Sequence, residues 1–190
     1  MNQYSTTAYN ANGKPTRIVS YDGAGANNTW FTGDGEGTYS KNTYDANGNL
    51  KRIDYFSSAG NDNIWFNNDD GQGQYSTTTF DTNGNATQHV FFKGPGLDLL
   101  WLTADDDVGF HRAISFDSNG NPTRDISYGG IGADRQLFTA DDVVSLYSDT
   151  AYDANGNRTN YTEYNGTGGD EVWFTADDRV SFGQTNDPAI

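Results

Sequence analysis

The sequence repeats itself, and that limits its fold more than any other property. The stretch Gly132-Ala-Asp-Arg-Gln-Leu-Phe-Thr-Ala-Asp-Asp142 recurs at Gly96–Asp106 and Gly168–Asp178. Gly60–Asp70 keeps the frame, and Gly25–Gly35 keeps it more loosely. A second marker, an aromatic residue followed by Asp or Asn and then Asn-Gly, begins at Tyr9, Tyr44, Phe80, Phe116 and Tyr152, with spacings of 35, 36, 36 and 36 residues. In every copy a tryptophan column lies 21 residues beyond the marker, at Trp30, Trp65, Trp101, Leu137 and Trp173. Five tandem repeats of about 36 residues therefore fill residues 1–190 as a single repeat domain, and residues 1–8 read as the end of a preceding repeat. A fixed period of this length means a solenoid, a propeller or an array, in which each unit packs mainly on its neighbours.

The local pattern is all-β. Thr, Tyr and Ser alternate in Gln74-Tyr-Ser-Thr-Thr-Thr79 and Leu146-Tyr-Ser-Asp-Thr-Ala151, as expected of strands. The Asn-Gly step that follows signals a hairpin, because both positions tolerate φ > 0. After a second strand and a Gly-rich loop, a short third strand is expected through the Trp-Phe pair, ended by the Asp-Asp turn. No window has the 3.6-residue period of a helix. The predicted fold is a tandem-repeat β-solenoid or stack of β-hairpins; the alternative is a five-bladed β-propeller. Aromatics form 14% of the chain, and one column (Tyr21, Phe56, Phe92, Tyr128, Tyr164) is aromatic in all five copies. Stacked units turn such columns into ladders, each ring burying roughly 150–250 Å². Leu137 in the tryptophan column favours core packing over sugar stacking, since leucine replaces tryptophan in a core but not on a sugar platform.

Charge narrows the function. The net charge is -15, the opposite of the basic footprint that nucleic acid demands, and equally unsuited to an anionic membrane. With no cysteine, neither disulfides nor thiolate metal sites are possible. No apolar run suits a membrane span, and no signal peptide is visible.

Three acidic columns carry the candidate chemistry. They hold Asp62, Asp98, Asp134 and Asp170; Asp69, Asp105, Asp141 and Asp177; and Asp70, Asp106, Asp142 and Asp178. Two converging carboxylates about 5 Å apart repel by roughly 3 kcal/mol at an effective dielectric near 20, so convergence calls for a cation. Calcium fits, because it takes six to eight hard oxygens in flexible geometry, and Thr103, Thr139 and Thr175 offer further oxygens. Zinc does not fit a chain with two histidines and no cysteine. The first repeat, with Asn27 and Gly35 in these columns, is expected to bind weakest. The competing reading is that Gly-x-Asp and Asp-Asp are solvated turns. A catalytic role is not expected: repeats make repeated surfaces, whereas an active site needs one asymmetric constellation. His89 and His111 read as drifted strand residues, His111 standing in the column of Tyr39, Tyr75 and Tyr147.

The segments Tyr44-Asp-Ala-Asn-Gly-Asn49, Phe116-Asp-Ser-Asn-Gly-Asn121 and Tyr152-Asp-Ala-Asn-Gly-Asn157 resemble the YD repeats of the Rhs family, and the 36-residue period adds an acidic insert to that pattern. The resemblance implies a β-rich bacterial protein that is secreted or displayed on the cell surface. The function expected is a calcium-stabilised structural or adhesive segment; the alternative is a carbohydrate-binding module. The partners expected are Ca²⁺, neighbouring repeats of a longer parent chain, and a surface glycan or protein, with no nucleic acid and no membrane insertion.

Overall fold

A computed structural model of the chain describes residues 3–23, 35–62, 64, 66 and 70–185. Asn27, Trp30, Asp34, Trp65 and Asp69 of the repeat columns lie outside the described residues. The strands are β1 (Tyr4–Tyr9), β2 (Pro15–Gly23), β3 (Gly35–Tyr44), β4 (Leu50–Ser58), β5 (Gly71–Phe80), β6 (Ala86–Gly94), β7 (Asp107–Phe116), β8 (Pro122–Gly130), β9 (Val143–Tyr152), β10 (Arg158–Tyr164) and β11 (Val180–Thr185). No helix occurs among the described residues. The strands lie in one antiparallel sheet whose order is the chain order, so the fold is a stack of hairpins. A five-bladed propeller would divide the strands into separate blades, and the single sheet excludes it.

The asparagine–glycine tips differ from the turn expected. Gly48 donates its N–H to Asp45 O and Asp45 donates to Asn49 O, at 3.0 and 2.9 Å. Gly48, Gly84, Gly120 and Gly156 have φ of 80 to 86°, whereas the asparagine before each is absent from the positive-φ residues. This is a type I turn closed by a left-handed glycine. The Asp of the motif builds it: Asp153 Oδ1 accepts the N–H groups of Asn155 and Asn157 at 2.9 and 2.8 Å, while Oδ2 accepts Asn157 Nδ2 at 3.0 Å.

The chain forms two compact units, Met1–Thr77 with Phe91–Asp107, and Thr78–Val90 with Val108–Ile190. In the first, cross-strand partners fix the faces of the sheet. Thr6 opposes Val19, Val19 opposes Tyr39, and Tyr39 opposes Phe56. The adjacent row runs Thr7, Ile18, Ser40, Tyr55, Gln74 and, by the alternation of a strand, occupies the other face. Tyr39 stacks on Phe56 with centroids 4.4 Å apart, and Tyr75 on Phe92 at 4.3 Å. In the second unit the same positions stack as His111 on Tyr128 and Tyr147 on Tyr164, at 4.4 and 4.3 Å.

Loops cover these pairs, and here the expected third strand is absent. Gly96–Asp106, Gly132–Asp142 and Gly168–Asp178 are turns, so each of these three repeats has two strands and a folded loop. Phe66, Leu102, Phe138 and Phe174, each second in its Trp-Phe pair or equivalent, have φ of 74, 69, 63 and 70°. A left-handed residue stops a strand. Trp101 meets Tyr75 edge-on at 5.9 Å, and Trp173 meets Tyr147 edge-on at 6.1 Å. The ladders are thus core, sandwiched between sheet and loops.

Candidate metal centre in the acidic loops

Each acid of a loop has a distinct position. The last carboxylate is buried and ties the loop to the sheet. Asp70 Oδ2 accepts Phe66 N–H at 2.7 Å and the Tyr39 hydroxyl. Asp106 Oδ2 accepts the Tyr75 hydroxyl at 2.5 Å and Leu102 N–H at 2.8 Å. Asp178 Oδ2 accepts the Tyr147 hydroxyl and Phe174 N–H, both at 2.7 Å. His111 takes the tyrosine's place in its repeat, with Nε2 2.9 Å from Asp142 Oδ2. All four pairs span 31 residues.

This clasp is the element that column-by-column reading missed. Its signal is present, because the Tyr/His and Asp columns keep a constant offset, but nothing in the offset shows that the loop folds back. The clasp also changes the tyrosines: burial first, and then the hydrogen bond and charge of the carboxylate, hold Tyr39, Tyr75 and Tyr147 well above the ordinary phenol range. Among the described residues, two buried side-chain atoms have no hydrogen-bond partner, Asp70 Oδ1 and His111 Nδ1.

The middle acid closes the loop. Asp105 Oδ2 accepts Leu97 and Asp98 N–H at 2.8 and 3.1 Å, and Asp177 Oδ2 accepts Gly169 and Asp170 N–H at 2.8 and 3.2 Å. Glycine is required opposite it, since a Cβ on Gly168 would lie 2.1 Å from Asp177 O. The first acid makes an Asx turn: Asp62, Asp98, Asp134 and Asp170 accept the N–H two residues on, at 2.7, 2.7, 2.8 and 2.9 Å.

All three columns meet at Thr103, and two of the three meet at Thr139 and at Thr175. Thr103 Oγ1 lies 3.4 Å from Asp98 Oδ1, 2.8 Å from Asp105 Oδ1, 3.2 Å from Asp106 Oδ1 and 3.2 Å from Leu100 O. Thr139 Oγ1 lies 3.4 Å from Asp134 Oδ1, 2.8 Å from Asp141 Oδ1 and 3.3 Å from Gln136 O, while Asp142 instead accepts Thr139 N–H at 3.1 Å. Thr175 Oγ1 lies 2.8 and 3.2 Å from Asp177 and Asp178 Oδ1, and 3.2 Å from Val172 O. The threonine hydroxyl, opposed by burial and assisted by backbone N–H groups, holds Asp105, Asp141 and Asp177 below the usual carboxylate range. They are therefore ionised at neutral pH. Among the described residues, no three acidic or histidine side chains stand ready-made in a metal cage; the oxygens encircle a hydroxyl.

No family model matches the chain, and no curated protein matches it. The likeness to solved structures is weak. A DUF3836-family protein from Bacteroides vulgatus is 11% identical, with a TM-score of 0.39 over 60% of this chain and 99% of that one. A protein of unknown function from Bacteroides fragilis is 12% identical, with a TM-score of 0.44 over 75% of this chain and 91% of that one. The Photorhabdus luminescens Tc holotoxin pore is 13% identical, with a TM-score of 0.41 over 88% of this chain and 10% of that one.

Proposed function

We propose that the chain is a structural repeat segment, of the YD-repeat kind, from a bacterial secreted or cell-surface protein, and that Ca²⁺ rigidifies its acidic loops. The observation that carries the metal is the ring around Thr103. Three carboxylate oxygens and the Leu100 carbonyl all lie within 3.4 Å of one hydroxyl, which has a single proton to donate. Ca²⁺ accepts carboxylate, carbonyl and hydroxyl oxygens together. Small side-chain rotations of Asp98 and Asp105 would bring these oxygens onto a cation. The Asp106 and Asp178 carboxylates then have a double part, anchoring through Oδ2 and offering Oδ1, whereas Asp142 Oδ1 is taken by the Gly132 N–H. Within the loop of Asp62 and Asp70, the unpartnered Oδ1 of buried Asp70 has the same use.

Thermal melting with CaCl₂ and with chelator tests the metal. Calcium should raise the melting temperature, and Asp105→Asn and Asp177→Asn should each lower the stoichiometry measured by calorimetric titration by one. A melting curve indifferent to calcium removes the cation and leaves the acids as turn builders. The tryptophan platform of a carbohydrate-binding module has no support at Trp101 and Trp173, whose rings pack edge-on against the ladder.

A further inference from the structure

The face of the first unit opposite its aromatic pairs carries a groove of about 540 Å³, whose lining includes Ser20, Thr38, Ser40, Tyr55, Ser57 and Gln74. It is within the roughly 300–1,000 Å³ of small-ligand clefts. We propose that this groove binds an uncharged hexose-based polysaccharide, with Tyr55 as the stacking platform. The site is separate from the acidic loops and independent of calcium.

Register builds the platform. Tyr55 lies directly between Ser40 on β3 and Gln74 on β5. Opposed residues on one face are about 4.5–5.5 Å apart, so the ring has a hydroxyl on one side and an amide on the other. Tyr55 and Ile18 are each 36% exposed, and both present apolar surface to the groove, whose lining also includes Tyr39 and Phe56 of the strands beneath it. Gly73 keeps the floor clear: a Cβ there would meet Ser57 Oγ at 3.5 Å and otherwise nothing.

The chemistry of the lining selects the ligand. None of its residues is charged, in a chain with 26 acidic and 11 basic side chains. A polyanion would find no cation in the groove and would be repelled by the surrounding field. A metal would find no carboxylate. A peptide strand adds to an unpaired sheet edge, and this floor is the face of paired strands β2 to β5. Hydroxyl and amide groups both donate and accept, which suits sugar hydroxyls, and an aromatic ring covers the C–H face of a pyranose.

Affinity electrophoresis tests this in native gels cast with glycogen, galactomannan, xyloglucan or hydroxyethylcellulose, with polygalacturonate as the anionic control. Retardation by at least one neutral polymer is expected, with a tenfold or greater loss of affinity in Tyr55→Ala. Gly73→Val, which fills the floor and leaves Tyr55 in place, should lose binding while its circular dichroism matches the parent. No retardation in any neutral gel overturns the proposal, as does retardation by polygalacturonate alone. Undiminished binding by folded Tyr55→Ala and Gly73→Val overturns it as well.

Discussion

Tyr147 shows how much rests on a single hydroxyl. It is 2% exposed and donates to the equally enclosed Asp178. A hydrogen bond to a charged acceptor contributes about 1.5–3 kcal/mol, and in a chain of this size each kcal/mol moves the melting temperature by roughly 2–4 °C. Tyr147→Phe should therefore melt about 3–12 °C lower by differential scanning calorimetry. The pH dependence has a definite sign. The folded phenol titrates above its unfolded value of about 10, so its contribution is complete below pH 10 and is lost as pH rises beyond that. The parent should lose stability above pH 10 more steeply than Tyr147→Phe. Leu99 is the converse case: it is 77% exposed with φ of 59°, a conformation that costs roughly 1–2 kcal/mol for such a residue and that Asn tolerates. Leu99→Asn should raise the melting temperature by a few degrees.

Among the elements, hairpins were more legible in the sequence than loops. Strand and turn signals are local, so an aromatic residue followed by Asp or Asn and then x-Asn-Gly marks every tip. The turn type is not legible from asparagine-glycine alone, which fits two geometries; the Asp or Asn two residues ahead of it selects one. Asp153→Ala should accordingly lower the melting temperature, and Asp153→Asn should restore most of the loss. Asn10 already fills that role in the first hairpin, accepting the N–H of Asn12 and of Lys14 at 3.0 Å. Hydrogen bonds with Asn157 hold Asp153 below the usual carboxylate range. Its contribution is thus present above about pH 4 and lost in more acid solution, whereas the Asn variant should show no such loss. The Trp-Phe segment reads as a strand by composition. Its left-handed Phe is set by the buried Asp four residues on, a tertiary cause that local pattern does not carry.

For the whole molecule, the net charge of -15 is the opposing force. At 0.1 M salt the Debye length is about 10 Å, and repulsion between exposed charges farther apart than that is largely screened, so NaCl should raise the melting temperature gradually. Calcium at millimolar concentration barely changes ionic strength, and a large rise under those conditions would come from site binding. The repeat number, the all-β class and the aromatic core were all legible, because periodicity makes them redundant five times over. The second face of the sheet was not: its alternating Ser, Thr and Gln resemble ordinary solvated strand positions, and only the register brings Ser40, Tyr55 and Gln74 side by side.

Every Tyr/His–Asp tie opens and closes inside one period, over residues 39–70, 75–106, 111–142 and 147–178. Between consecutive ties lie four-residue seams, 71–74, 107–110 and 143–146, that none of them bridges. Joining two seams by excising or duplicating the intervening 36 residues would leave every remaining tie whole, whereas a break inside any of the four tied spans would sever one. Such a chain can change its length by whole modules without redesigning its interior.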